Sequence, residues 1–167
     1  MKQRFDRPDP PIIISAVSSA ADSRTAPRRS AGGQKADSRT IGAIGVLLAD
    51  DVLRSVTMRR LELLGYTVTP IPEDPAAAPV VAADAGLGGV LIDLDLPDGA
   101  GLRVVERLAS DESTAGIPTL GMAADTPQGL IEEAFAIGVS DFLILPYDPL
   151  LLESKAAGLL ARTAQTA

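Results

Sequence analysis

The chain has 167 residues, 46% of them apolar, with 15 Lys/Arg against 22 Asp/Glu for a net charge of -7, a balance that suits one globular domain with a tail. It contains no Cys and no His, which excludes a disulfide scaffold, thiolate chemistry, Ser-His catalysis and metal centres built on thiolate or imidazole. Carboxylates are the main chemistry left.

The charge is uneven along the chain. Residues 1–42 carry eight Lys/Arg and four Asp, a net +4, whereas residues 43–167 carry -11. An acidic body repels phosphate backbones, so no nucleic-acid partner is expected. The basic segment has neither strand nor helix periodicity and too little apolar content to offset ordering, so residues 1–42 are expected to form a disordered tail. No apolar run reaches the roughly 18 residues of a membrane span, and Pro11-Ile12-Ile13-Ile14 is too short for a signal core, which points to a cytoplasmic protein without a membrane partner.

From Ile44 onward, short apolar runs alternate with helical patterns. Strands are predicted at 44–49, 67–71, 89–92, 119–122 and 142–145, and helices at 53–64, 75–85, 101–109, 127–137 and 149–162, leaving 164–167 as a short C-terminal tail. Continuous apolar strands separated by helices predict an α/β fold, a parallel sheet covered on both faces. Thr126 before Pro127 and Asp148 before Pro149 are expected N-caps with Pro at the first helical position, and Gly65 and Gly138 are expected just past helix C-termini.

In a doubly wound parallel sheet, ligands sit at the carboxyl ends of the strands. Asp50 and Asp51 are expected to end the first strand and Asp93 the third, so the three carboxylates are expected to share one crevice. Crowded carboxylates require a cation or raised pKa values, and an all-oxygen set of this kind suits weakly held Mg²⁺.

Three segments carry a family resemblance. Val46-Leu47-Leu48-Ala49-Asp50-Asp51, Leu91-Ile92-Asp93-Leu94-Asp95-Leu96-Pro97-Asp98-Gly99-Ala100-Gly101 and Ala134-Phe135-Ala136-Ile137-Gly138-Val139-Ser140-Asp141-Phe142 make residues 44–163 resemble the receiver domains of two-component response regulators. The resemblance implies the flavodoxin-like topology and a signalling module rather than an enzyme. It also implies Asp93 as phosphoacceptor, Asp50 and Asp51 as the Mg²⁺-binding acidic pair, and the Asp95 carbonyl as a backbone metal ligand. The implied partners are a histidine kinase or phosphotransfer protein, a downstream effector, and a second copy of the chain.

Two positions depart from the family pattern. Receivers carry a Ser/Thr hydroxyl where this chain has Ala123, and a Lys where it has Leu145. A charge-assisted hydrogen bond is worth roughly 1.5–3 kcal/mol, and here one of that kind is missing together with a neutral one. Only Val52 separates Asp51 from the helical pattern at Leu53, a shorter link than the family's. Phe142 occupies the position of an aromatic that swings inward on phosphorylation in family members, and plain packing is the favoured role for it here. Leu145-Pro146 occupies a step whose peptide is usually cis in the family, and together with Phe142 and Tyr147 it marks the expected interaction face.

Two signalling readings stand side by side. One is a stand-alone receiver phosphorylated on Asp93, its predicted fifth helix followed by no output domain; the other is a pseudoreceiver that binds partners without phosphorylation. A remote third reading takes Asp93-Leu94-Asp95 as the nucleophile motif of haloacid dehalogenase-type phosphatases, a family that begins with this motif on its first strand and has Thr or Val where Pro97 stands.

Overall fold

The computed structural model describes residues 41–127 and 129–166, so most of the proposed basic tail, residues 1–40, lies outside the described residues. Five strands, β1 (Gly42–Leu47), β2 (Tyr66–Pro70), β3 (Gly89–Asp93), β4 (Thr119–Ala123) and β5 (Asp141–Ile144), form one sheet in the order β2-β1-β3-β4-β5. Every neighbouring pair is parallel. This is the expected doubly wound, flavodoxin-like α/β topology, and the strand order reverses between β1 and β3. The helices are α1 (Asp51–Leu63), α2 (Ala78–Asp84), α3 (Ala100–Ser110), α4 (Leu130–Ile137) and α5 (Pro149–Thr166), with a 3₁₀ turn at Pro97–Gly99. Among the described residues no helix is long and apolar enough to cross a membrane.

Successive strand residues point to opposite faces, and the sheet separates two cores accordingly. Ile44, Val46 and Leu48 join Leu91, Met122 and Leu143 against Leu61 of α1 and Leu152, Ala156 and Leu159 of α5. Leu47, Val90, Ile92 and Ala123 face Ala78 and Ala82 of α2, Val104, Val105 and Leu108 of α3, and Ala134 of α4.

Local signals set several boundaries as expected. Asp148 accepts the Leu150 N–H at 2.7 Å and caps α5 ahead of Pro149. Gly65 and Gly138 follow α1 and α4 with φ of 95° and 124°, conformations that side chains with a Cβ rarely adopt.

Other boundaries differ from the sequence reading. Strand β1 runs from Gly42 to Leu47, so Gly42 belongs to the sheet and the strand ends two residues before 49. Helix α2 starts at Ala78 because Pro79 has no N–H to donate to the carbonyl of Pro75, and Asp74 organises the preceding turn through the Ala76 N–H. Helix α4 starts after Gly129, whose φ of 95° breaks the helix predicted from 127, so Thr126 is not its cap. Helix α5 continues to Thr166, into the segment expected to be a tail.

Two expectations follow from the packing. A Cβ added to Gly101, near the start of α3, would lie 2.0 Å from the Asp93 carbonyl oxygen, a backbone atom that cannot swing aside. Gly101→Ala should therefore destabilise the fold by about 1–3 kcal/mol, read as a lower urea midpoint at unchanged m.

Asp141 ties β5 to α5 through Lys155 at 2.7 Å. Burial raises its pKa, but the Lys155 and Phe142 hydrogen bonds and the nearby Lys155 and Arg162 charges outweigh burial and hold it below the ordinary 3.8. A depressed carboxylate contributes stability above its unfolded pKa and loses it as pH falls through the folded value. Asp141→Asn should thus lower the melting temperature near neutral pH, and the two proteins should converge below about pH 4.

Candidate functional site

At the carboxyl edge of the sheet, beside the point where strand order reverses, Ala49, Asp50, Val52, Leu53, Val56, Asp93, Asp95, Ala124, Leu145 and Pro146 line a cleft of about 620 Å³. Asp93 ends the central strand β3 and is only 6% exposed. One of its carboxylate oxygens accepts the Ala49 N–H at 3.1 Å and the other accepts the Asp95 N–H at 2.9 Å. The carboxylate thereby ties the exit of β1 to the loop after β3.

The acidic pair does not end β1. One step beyond the last β1–β3 pair, Leu47 with Ile92, the residue beside Asp93 is Leu48; Asp50 and Asp51 come later and open α1. Asp50 is the N-cap and accepts the Leu53 N–H at 2.6 Å, a use that Asp favours at the first turn of a helix. Asp51 pairs with Arg54, and its side chain is 83% exposed. Asp50 and Asp93 line the same cleft, whereas Asp51 is not among its walls.

Asp95 lines the cleft too, but its carboxylate accepts the Ala124 N–H at 2.6 Å and the Asp125 N–H at 3.3 Å, bracing the loop after β4. Its carbonyl, the expected backbone ligand, stands in the loop after β3. Mg²⁺ is the cation implied for this edge, and the side chains present do not fit the expected three-carboxylate site. Among the described residues no three acidic side chains are grouped so that they could hold a metal ion.

Ala123 is fully buried at the end of β4, and its carbonyl accepts the Leu145 N–H at 2.8 Å. Leu145 packs against the α1/α5 core while walling the cleft, and its peptide bond to Pro146 is cis. No Lys or Arg lines this cleft among the described residues.

Phe142 packs against the α3/α4 core, near Gly121. Tyr147, expected on an interaction face, shares a 2.6 Å hydrogen bond with the fully buried Thr57 of α1. That bond spans 90 residues and leaves no local sequence signal. The Asp93-Leu94-Asp95 motif begins at the last residue of the third strand in chain order, not on the first.

Comparisons with known proteins agree with this geometry. No protein-family model matches the chain. The response regulator PleD of Caulobacter vibrioides is 29% identical over 121 residues, 72% of this chain but only 26% of PleD. The chemotaxis protein CheY of Pseudomonas aeruginosa is 24% identical over 119 residues, covering 70% of this chain and 96% of CheY. The chain thus spans about a quarter of one relative and nearly all of the other. Among solved structures, the receiver domain of the sensor histidine kinase PA1611 from P. aeruginosa, described with a magnesium ion coordinated in its active-site cleft, superimposes with a TM-score of 0.63 at 23% identity, over 72% of this chain and 98% of that one.

The Thr57–Tyr147 bond predicts a measurable coupling. Tyr147→Phe leaves a buried hydroxyl without its partner and should cost about 1–3 kcal/mol in denaturant unfolding. The double variant Thr57→Val/Tyr147→Phe should lose less than the sum of the two single variants.

Proposed function

We propose that this chain, a response-regulator receiver domain, serves two-component signalling in the cytoplasm as an interaction module whose contacts do not depend on phosphorylation of Asp93. Receiver domains work by binding histidine kinases and effectors, and here the partners would be a kinase or phosphotransfer protein and a downstream effector. The observation that carries the reading is that Leu145 walls the cleft that holds Asp93 and Ala123 ends β4 fully buried, at the positions where the family resemblance places an ammonium and a hydroxyl.

A phosphoryl group on a carboxylate is stabilised by cations and hydrogen-bond donors around its equatorial oxygens. A ligand shifts a conformational equilibrium only by its differential affinity for the two states. Without the hydroxyl and the ammonium, a phosphoryl group on Asp93 has little with which to favour one state over the other. Phe142 and Tyr147 pack on opposite sides of the sheet and so do not make the single face expected from the sequence; the surface at exposed Pro146 beside the cleft would then be the same with or without phosphate.

A second reading is favoured by the position of Asp93 itself, at the floor of an open cleft and on the strand that the phosphoacceptor occupies in the family resemblance. It makes Asp93 a weak phosphoacceptor and requires Mg²⁺ held by Asp50 and Asp93, with water completing the shell.

Incubation with acetyl phosphate and Mg²⁺, followed by intact mass, separates the two readings. The expected result is no phosphoryl adduct on the wild type, and an adduct lost in Asp93→Asn would establish the second. Amide hydrogen exchange with a beryllium fluoride mimic tests the switch. Residues 123–150 should show no change in the wild type and a clear change after Ala123→Thr and Leu145→Lys are introduced together, because both groups act on one phosphoryl position.

A further inference from the structure

Helix α1 is apolar on two sides. Thr57 and Leu61 face inward and are buried, whereas Val52, Val56 and Leu63 are exposed, Leu63 at 71%. A surface helix needs one apolar stripe to meet its core, so the second stripe is not accounted for by the packing of the sheet. With Arg59 the three exposed side chains fall at intervals of four, three and four residues, within about 60° of arc at 3.6 residues per turn. That series reads the same in either chain direction. A second α1 laid antiparallel across the first therefore sets Val52 against Leu63 and Val56 against Arg59, twice over, which is the reciprocity a two-fold interface requires.

Shape and charge fit the same pairing. Val56 is a ridge between two hollows, the cleft over Asp93 and a smaller one of about 380 Å³ that also holds Arg59, Arg60 and Leu63. The charged walls of the cleft are carboxylates, and those of the smaller hollow are guanidiniums. Antiparallel pairing sets each acidic cleft opposite the other copy's basic hollow, whereas parallel pairing sets like against like. Arg60 is engaged by Glu153 of α5, but Arg59 is 69% exposed and meets Glu62 at 3.4 Å one turn along its own helix, an exposed pair of little worth. Its guanidinium is able to exchange that contact for Asp50 of a second copy.

We infer that this chain forms a weak two-fold dimer through antiparallel α1 helices, with Leu63 of each copy seated beside Val52 at the mouth of the other's cleft. The second copy covers the opening over Asp93, so self-association and the binding of another partner at the cleft exclude one another. These contacts involve no phosphoryl group on Asp93.

Sedimentation velocity of the full chain from about 10 μM to 1 mM, the range in which small interfaces associate, tests it. The average mass should rise from monomer towards dimer. Leu63→Glu should raise the dimer Kd by at least about tenfold, because the change enters the interface twice, and it should leave the melting temperature of the monomer unchanged. Ile144→Lys, at an exposed apolar residue of β5, should leave the dimer intact. The chain has no Cys, so single cysteines report the register. An oxidised mixture of the Val52→Cys and Leu63→Cys variants should give mainly the disulfide-linked heterodimer, since like positions lie about 16 Å apart along the paired helices and cannot be bridged. A dimer that survives Leu63→Glu, one that is lost in Ile144→Lys, or preferential self-linking of Val52→Cys would overturn the inference. A monomer at every concentration would also overturn it and leave this face to a partner of another kind.

Discussion

The carboxyl edge of the sheet is organised by one buried group, the Asp93 carboxylate. A carboxylate taken out of water is costly unless its oxygens find donors, and those available here are backbone N–H groups of Ala49 and Asp95. Main-chain donors cannot rotate away as a side chain can, so satisfying Asp93 fixes two loops at once. The link from β1 to α1 is held on one side and the turn after β3 on the other. The missing Cβ of Gly101 lets α3 begin against the Asp93 carbonyl, so the same residue is gripped at its carboxylate and crowded at its main chain.

Around that polar point the walls are apolar, and the contrast bears on function. Val52 and Val56 on α1 are 73% and 58% exposed and continue the cleft onto the protein surface, while Leu145 and Pro146 close its far side. Exposed apolar side chains that adjoin a cleft mark a place where another molecule gains by covering them. A phosphoryl group gains nothing from Leu145, whereas an apolar partner surface does. The isobutyl group of Leu145 therefore makes this edge reward apolar rather than ionic contact.

The fold was legible because each of its determinants is local or periodic. Strands buried on both faces read as continuous apolar runs, and Gly65, Gly138 and Asp148 mark helix ends through their own backbone or side-chain chemistry. Boundaries slipped where one local signal overrode another: Pro79 removed a donor from the predicted start of α2, and Gly129 turned left-handed within the predicted start of α4. The site was legible in part. Asp93 stands at the strand end where the pattern put it, but an Asp-Asp step after an apolar run serves equally well as the end of a strand or the start of a helix. Hydrogen bonding alone distinguishes them, and here Asp50 accepts from Leu53. The Thr57–Tyr147 bond joins distant segments and had no signature at all.

The acidic pair at the start of α1 shows what two adjacent aspartates do there without a cation. An aspartate ahead of a helix satisfies an unpaired N–H, and one in the first turn interacts favourably with the positive end of the helix dipole. Asp50 and Asp51 do both, and Arg54 one turn later completes the arrangement with an i,i+3 ion pair. These contacts stabilise α1 in the absence of any cation, whereas a cluster of carboxylates facing Asp93 would need one. A helix that begins directly at the acidic pair thus uses both carboxylates to hold the helix itself. The edge of the sheet keeps the shape of a receiver site while its carboxylates are occupied within the chain, Asp50, Asp93 and Asp95 by backbone N–H groups and Asp51 by Arg54.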